Sequence, residues 1–198
     1  LSAKFAALPP GLLAALQAMG IELLIGLFLG ISVRLVMSAL QVAGTAIAMQ
    51  TGLGFAQNVD PTQGVQAALF ASFLSVFAVT LIFVTDLHHL LLRAIVDSYT
   101  LFRPGEMVSV SDFANMAIAT ISGSFRVAVQ ISAPFLVFGL IFYLGIGVLS
   151  RLMPQVQIFF LAMPMNILVG FLLFMVLLAT IITWFLHYFE AHVAQFVI

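Results

Sequence analysis

The sequence predicts an all-α membrane protein, and three observations carry that prediction. Of its 198 residues, 64% are hydrophobic and only 7% are charged, and the mean hydropathy is +1.26. Soluble domains carry about 25% charged residues, and a chain near this size buries only about 70% of its surface on folding. Water is therefore the wrong solvent for so much apolar surface. Charged residues also fall far apart, leaving charge-free runs at Leu35–Val59, Pro61–Thr85, Val127–Ser150 and Leu152–Phe189. Finally, stretches such as LIGLFLG and FLLFMVLLATII do not alternate apolar and polar residues, as strands of a membrane barrel would. Helices remain, because they satisfy their own backbone groups where water is absent. The class is an integral membrane protein or a subunit sealed in a larger apolar assembly. Residues 1–198 read as a single helical domain, with no linker, low-complexity tract or strong repeat.

A helix needs roughly 20 residues to cross a hydrocarbon core of about 30 Å. The first predicted helix, Leu12 to Met49, is longer than that, with Gly26 and Gly30 as places for a bend. A break follows at Gln50–Gly64, then a second helix from Val65 to Thr85. Thr85-Asp86 caps a third, Leu87 to Leu101. FRPGEMVSVSD is a loop: Pro104-Gly105 is a turn pair, and Ser109-x-x-Asp112 has the form of a capping box. The fourth helix runs from Asp112 to Leu149, kinked before Pro134. Arg151-Leu-Met-Pro154 is a tight turn, and the last apolar segment, from Gln155 onward, is interrupted by Pro164.

Much is excluded. A net charge of −1 offers no basic footprint for nucleic acid. No cysteine is present, which rules out disulfides, iron–sulfur clusters and thiol catalysis. Lys4 is the sole lysine, no GxSxG element occurs, and no carboxylate pair has catalytic spacing. Nothing argues for an enzyme or a cofactor.

Gly26-x-x-x-Gly30 is a small-residue face that lets helices approach closely. Glu22, one turn earlier, is either a proton-relay carboxylate or a hydrogen-bonding group against a neighbouring helix, and no second acid at helical spacing supports the relay. Asp86, His88 and His89 suggest a metal or proton site, but adjacent histidines point about 100° apart on a helix, so a polar helix start is the expected reading. His187, Glu190 and His192 read as a polar helix end rather than a metal site. Asp86, Arg93 and Asp97 share a face and read as an ordinary ion-pair stripe. Glu22, Arg34, Gln41, Gln130, Gln155 and Asn166 interrupt the apolar runs, and polar groups of that kind face protein or a water-filled cavity.

The segment QTGLGFAQNVDPTQG, Gln50–Gly64, is too long for a bare turn of about 2–8 residues. Gly52 and Gly54 release the backbone, Asp60-Pro61 restarts the chain, and Leu53, Phe55 and Val59 are apolar groups in polar company. Irregular backbone at membrane depth must be buried in protein or line a cavity. An interfacial turn and a pore-lining constriction, of the kind that closes by dewetting, both fit.

Four stretches in this order, IELLIGLFLGISVRL, AGTAIAMQTGLGFAQNVDP, DLHHLLLRAIVDSYTLFRPGE and GVLSRLMPQVQIFFLAMPMNILVG, resemble the FliR family of the bacterial type III export apparatus. The most specific pieces are Ala43-Gly44, Gln50, Gly52-Leu53, Phe55-Ala56 and Asp60-Pro61, and then Arg151, Pro154-Gln155, Ile158-Phe159, Pro164 and Gly170. The resemblance covers Gly20 to the C-terminus. The family has a further N-terminal apolar segment, so the resemblance implies a truncated start at LSAKFAALPP. It also implies bent helical hairpins, a FliP-like part joined to a FliQ-like part, in a channel-forming subunit of the flagellar export gate. The implied partners are FliP and FliQ, with FlhB, FlhA and unfolded export substrates. The implied location is the bacterial inner membrane, within the flagellar basal body. Under that resemblance Gln50, Gly52, Leu53, Gly54, Phe55, Val59, Asp60 and Pro61 form a pore plug. Glu22, Gly26, Gly30, Arg151, Pro154, Gln155, Pro164 and Gly170 serve assembly and packing. The alternatives are an injectisome export gate or a stand-alone small-solute transporter.

Overall fold

The computed structural model describes residues 11–55, 68–101, 110–154 and 157–197. They form five helices: α1 (Leu12–Gln50), α2 (Ala68–Val84), α3 (Leu87–Leu101), α4 (Val110–Leu152) and α5 (Ile158–Ala194), with a 3₁₀ turn at Leu53–Phe55 after α1. There is no strand among the described residues, and three helices are long and apolar enough to cross a membrane, or four spans if the bent pair α2–α3 counts as one. The protein is an all-α membrane protein.

The expected helix limits hold to within a few residues, with one correction. Pro164 does not interrupt the last segment; it lies inside one continuous helix, as Pro134 does in α4. An internal proline removes one ladder bond, and helices in apolar surroundings tolerate this where packing compensates. Asp112 lies in the first turn of α4 and Arg151 in its last, each sign matching the partial charge at its helix end. Ser109 of the expected capping box, together with Pro104 and Gly105, lies outside the described residues.

α2 and α3 meet at 78°. Thr85 closes α2, its N–H and its Oγ1 both bonding Leu81 O at 2.8 and 2.7 Å. Asp86 then turns the chain with φ 59°, a left-handed value tolerated by a short polar side chain. Its carbonyl accepts the N–H of His89 at 3.0 Å, starting α3.

The core is one cluster. α1 contributes Val36, Leu40, Ala43 and Ile47, the 4-3-4 spacing of a single helical stripe. It meets Phe70, Leu74 and Ala78 of α2, Ala128, Ile131 and Phe135 of α4, and Phe174, Ile181, Phe185 and Phe189 of α5. α1 packs chiefly along α4 and α2, while α5 packs against α4 and α3. Apolar burial supplies little drive between helices in lipid, so close packing through small residues carries more of the association. Gly44 shows how close: a Cβ there would collide with the Ala71 backbone of α2. Phe70 and Phe135 each pack on Phe174, with ring centroids 4.7 and 6.4 Å away. Ser124 and Tyr188 add a polar tie between α4 and α5 at 3.3 Å.

Candidate functional site

The candidate site is the place where α1 gives way to the irregular segment. Thr51 ends the helix from within. Its N–H bonds Ile47 O at 2.9 Å, and its Oγ1 bonds Ile47 O at 2.9 Å and Ala48 O at 3.3 Å. The Ile47 and Ala48 carbonyls, two of the four in the last turn, are thereby satisfied without water. Gly52 follows with φ 82°, the left-handed position that glycine fills at helix ends without steric cost. Its N–H reaches Met49 O at 3.4 Å.

Two other helices grip this corner. Asn166 of α5, 2% exposed, donates Nδ2 to Gln50 O at 3.2 Å across 116 residues of sequence. Gly170, one turn later, leaves the space that Thr51 fills: a Cβ there would lie 2.5 Å from Thr51 Cγ2 and 2.7 Å from its Cβ. Gly139 of α4 does the same for the Gln50 side chain. Gly52 itself abuts the Asn166 amide, with 3.1 Å between a notional Cβ and Nδ2. Tyr143 of α4 also lies beside the Asn166 side chain. The buried Oδ1 of Asn166 has no hydrogen-bond partner among the described residues. The start of the segment is therefore a clamped corner held by α1, α4 and α5.

The sequence-derived residues divide across the molecule. Gln50, Gly52, Leu53 and Gly54 lie at the clamp, as does Gly170. Leu53 is half-buried and packs on the core, so in this structure it seats the segment rather than projecting from it. Phe55 ends the 3₁₀ turn. Val59, Asp60, Pro61 and Gln155 lie outside the described residues. Glu22, Gly26 and Gly30 are some distance along α1, where with Ser98, Tyr99 and Phe196 they line an apolar groove of about 390 Å³ between α1, α3 and the end of α5. Gly26 and Gly30 have nothing within 4 Å of a notional Cβ, so no described residue packs closely on this small-residue face. Arg151, Pro154 and Pro164 are exposed.

Sequence reasoning missed Thr51, Gly139 and Tyr143, and left Asn166 without a role. The available signal was Asn166 itself, a lone amide in a charge-free run, which needs a buried partner. Two expectations change for the polar clusters. Asp86 does not pair with Arg93: it meets His89 at 3.5 Å, while Arg93 pairs with Asp97 at 3.7 Å. His88 and His89 do not diverge: their ring centroids are 4.0 Å apart.

A family model described as bacterial export proteins, family 1, matches residues 2–192. The chain is 46% identical over 149 residues to the flagellar biosynthetic protein FliR of Caulobacter vibrioides, a match covering 75% of this chain and 59% of that one. It is 30% identical over 169 residues to FliR of Bacillus subtilis, covering 81% and 63%. It is also 30% identical over 172 residues to FliR of Escherichia coli, covering 85% and 65%. The matches thus span about three fifths of the length of these relatives. With its all-helical membrane architecture and a family match that runs through nearly every described helix, the chain belongs to the bacterial export proteins, family 1, beside the FliR proteins of flagellar biosynthesis.

Proposed function

We propose that this chain is a non-enzymatic, channel-forming subunit of the flagellar type III export gate, and that Gln50–Pro61 is its pore plug. The observation that carries the reading is the clamp. A plug has to be free at its tip and fixed at its root. The root here is fixed by a buried amide hydrogen bond and by two glycines that make room for Gln50 and Thr51. Phe55 and Val59 are the closing groups, and Leu53 is the anchor. The chain acts as one helical unit, a FliP-like part joined to a FliQ-like part. Its partners are FliP and FliQ, then FlhB and FlhA, and unfolded substrates pass through the assembly. It resides in the bacterial inner membrane, within the flagellar basal body. The flagellar names of the relatives support that system over an injectisome. The large exposed apolar faces and the open Gly26–Gly30 stripe support a subunit that packs against others. Glu22 is exposed, which suits a groove wall better than the midplane carboxylate of a stand-alone transporter.

The test is ion conductance of membranes containing the assembled gate. Phe55→Ala, or deletion of Leu53–Gln57, raises the leak while secretion of substrates persists. Conductance equal to that of the parent gate would sink the plug assignment.

A further inference from the structure

We propose that the corner between α2 and α3 is a divalent transition-metal site, with Asp86, His88 and His89 as ligands. The three side chains each offer a ligand atom, and these atoms all lie within 4.8 Å of one another. Ligands on one tetrahedral Zn(II), at bond lengths of about 2.0–2.2 Å, stand about 3.4 Å apart. The Asp86 Oδ1–His89 Nδ1 pair is already at 3.5 Å. Exposed side chains can close the remaining gap by rotation about their own bonds, and the two imidazoles part from their present 4.0 Å ring separation as they do so.

The backbone explains why neighbours in sequence converge. Asp86 takes the left-handed conformation, φ 59°, and the helix axis swings through 78° at this point. The carboxylate is thereby folded back over the first turn of α3. His88, half-buried, leans on Phe83 at 5.0 Å between ring centroids and closes the inner side. Its Nδ1 is buried with no hydrogen-bond partner among the described residues, so an imidazole is held in place without the partner that normally fixes its tautomer. Asp86 and His89 are exposed on the surface of the chain, so no described side chain closes the site to an ion. Two imidazoles and one carboxylate suit Zn(II), Cu(II) or Ni(II), and do not suit Mg(II) or Ca(II), which take oxygen ligands. A bound ion would pin the α2–α3 corner at its bend. This inference does not depend on the plug.

The experiment uses the full chain in detergent, without a polyhistidine tag, titrated with Zn(II) against a chromophoric chelator. The expected result is one ion per chain, with affinity falling about tenfold or more in Asp86→Ala and in His89→Ala. Both residues are exposed, and Asp86→Asn, which keeps a side chain that tolerates φ 59°, is the variant that separates loss of the ligand from strain at the corner; far-UV circular dichroism verifies the fold of each. Co(II) in place of Zn(II) gives a visible d–d band that the same variants lose. His187→Ala combined with Glu190→Ala leaves the titration unchanged. No stoichiometric binding by the parent chain, or binding undiminished in the Asp86→Ala, His89→Ala double variant, overturns the proposal.

Discussion

The clamp at the end of α1 and the groove along its first half are built from the same kinds of residue to opposite ends. Both combine glycines with isolated polar groups on an apolar helix. At Gly44, Gly139 and Gly170 every missing side chain is filled by another part of the chain: the Ala71 backbone, Gln50 and Thr51. At Gly20, Gly26 and Gly30 no described residue stands within 4 Å of a notional Cβ. Likewise Asn166 is buried and bonded, whereas Glu22 and Arg34 are exposed. The difference teaches that α1 is packed by its own chain at its end and left open along its first half. A glycine stripe in an apolar helix marks a close approach, but only the structure says whether the approaching surface belongs to the same molecule.

The comparison can be broken most severely at Gly44. Gly44→Val drives a branched side chain into the Ala71 backbone, which has no free side-chain end to swing aside. Overpacking of this kind costs about 1–3 kcal/mol, and thermal unfolding in detergent should register the loss. Asn166→Leu comes next. It removes the donor to Gln50 O and leaves that carbonyl unmatched at a buried corner, at about 1–3 kcal/mol. Hydrogen exchange at Thr51 and Gly52 should accelerate before that of the core of α1. Exchange that rises uniformly would show that the clamp is not a separate unit. The smallest effect on the chain itself belongs to Gly26→Leu. With open space at that position, stability should change by no more than about 0.5 kcal/mol. Co-purification with the other export components should fall nonetheless, and unaffected co-purification would mean that the open stripe is not a docking face.

The helices were legible because their signals are local. Leu87 to Leu101 was expected and observed without change, and α1 ends one residue past its expected limit. Composition and turn residues decide such boundaries. Pro164 misled because its local cost is real, yet a 37-residue helix carries it. The site was half legible. Gln50, Gly52 and Gly170 were singled out as residues, but their meeting was invisible: Gln50 and Asn166 are separated by 116 positions. These helices are apolar on nearly every side, so periodicity does not say which face turns inward, and register between helices has no sequence signature of its own. The convergence of Asp86 on the two histidines was hidden for a different reason. Helical spacing orients His88 and His89 within α3, but the carboxylate comes from a left-handed corner outside that helix.

The lengths of α1, α4 and α5 carry a further consequence. At 39, 43 and 37 residues and 1.5 Å per residue, they are rods of about 55–65 Å, nearly twice the apolar thickness of a bilayer of about 30 Å. Such rods cannot stand upright in lipid without thrusting greasy ends into water. They must lie steeply tilted or be sheathed by something other than lipid. Unless the rods tilt that steeply, lipid alone is an inadequate solvent for this chain, and an excess of it over its sheath should be short-lived in the cell. The supply of whatever covers those ends would then set how much of the protein persists.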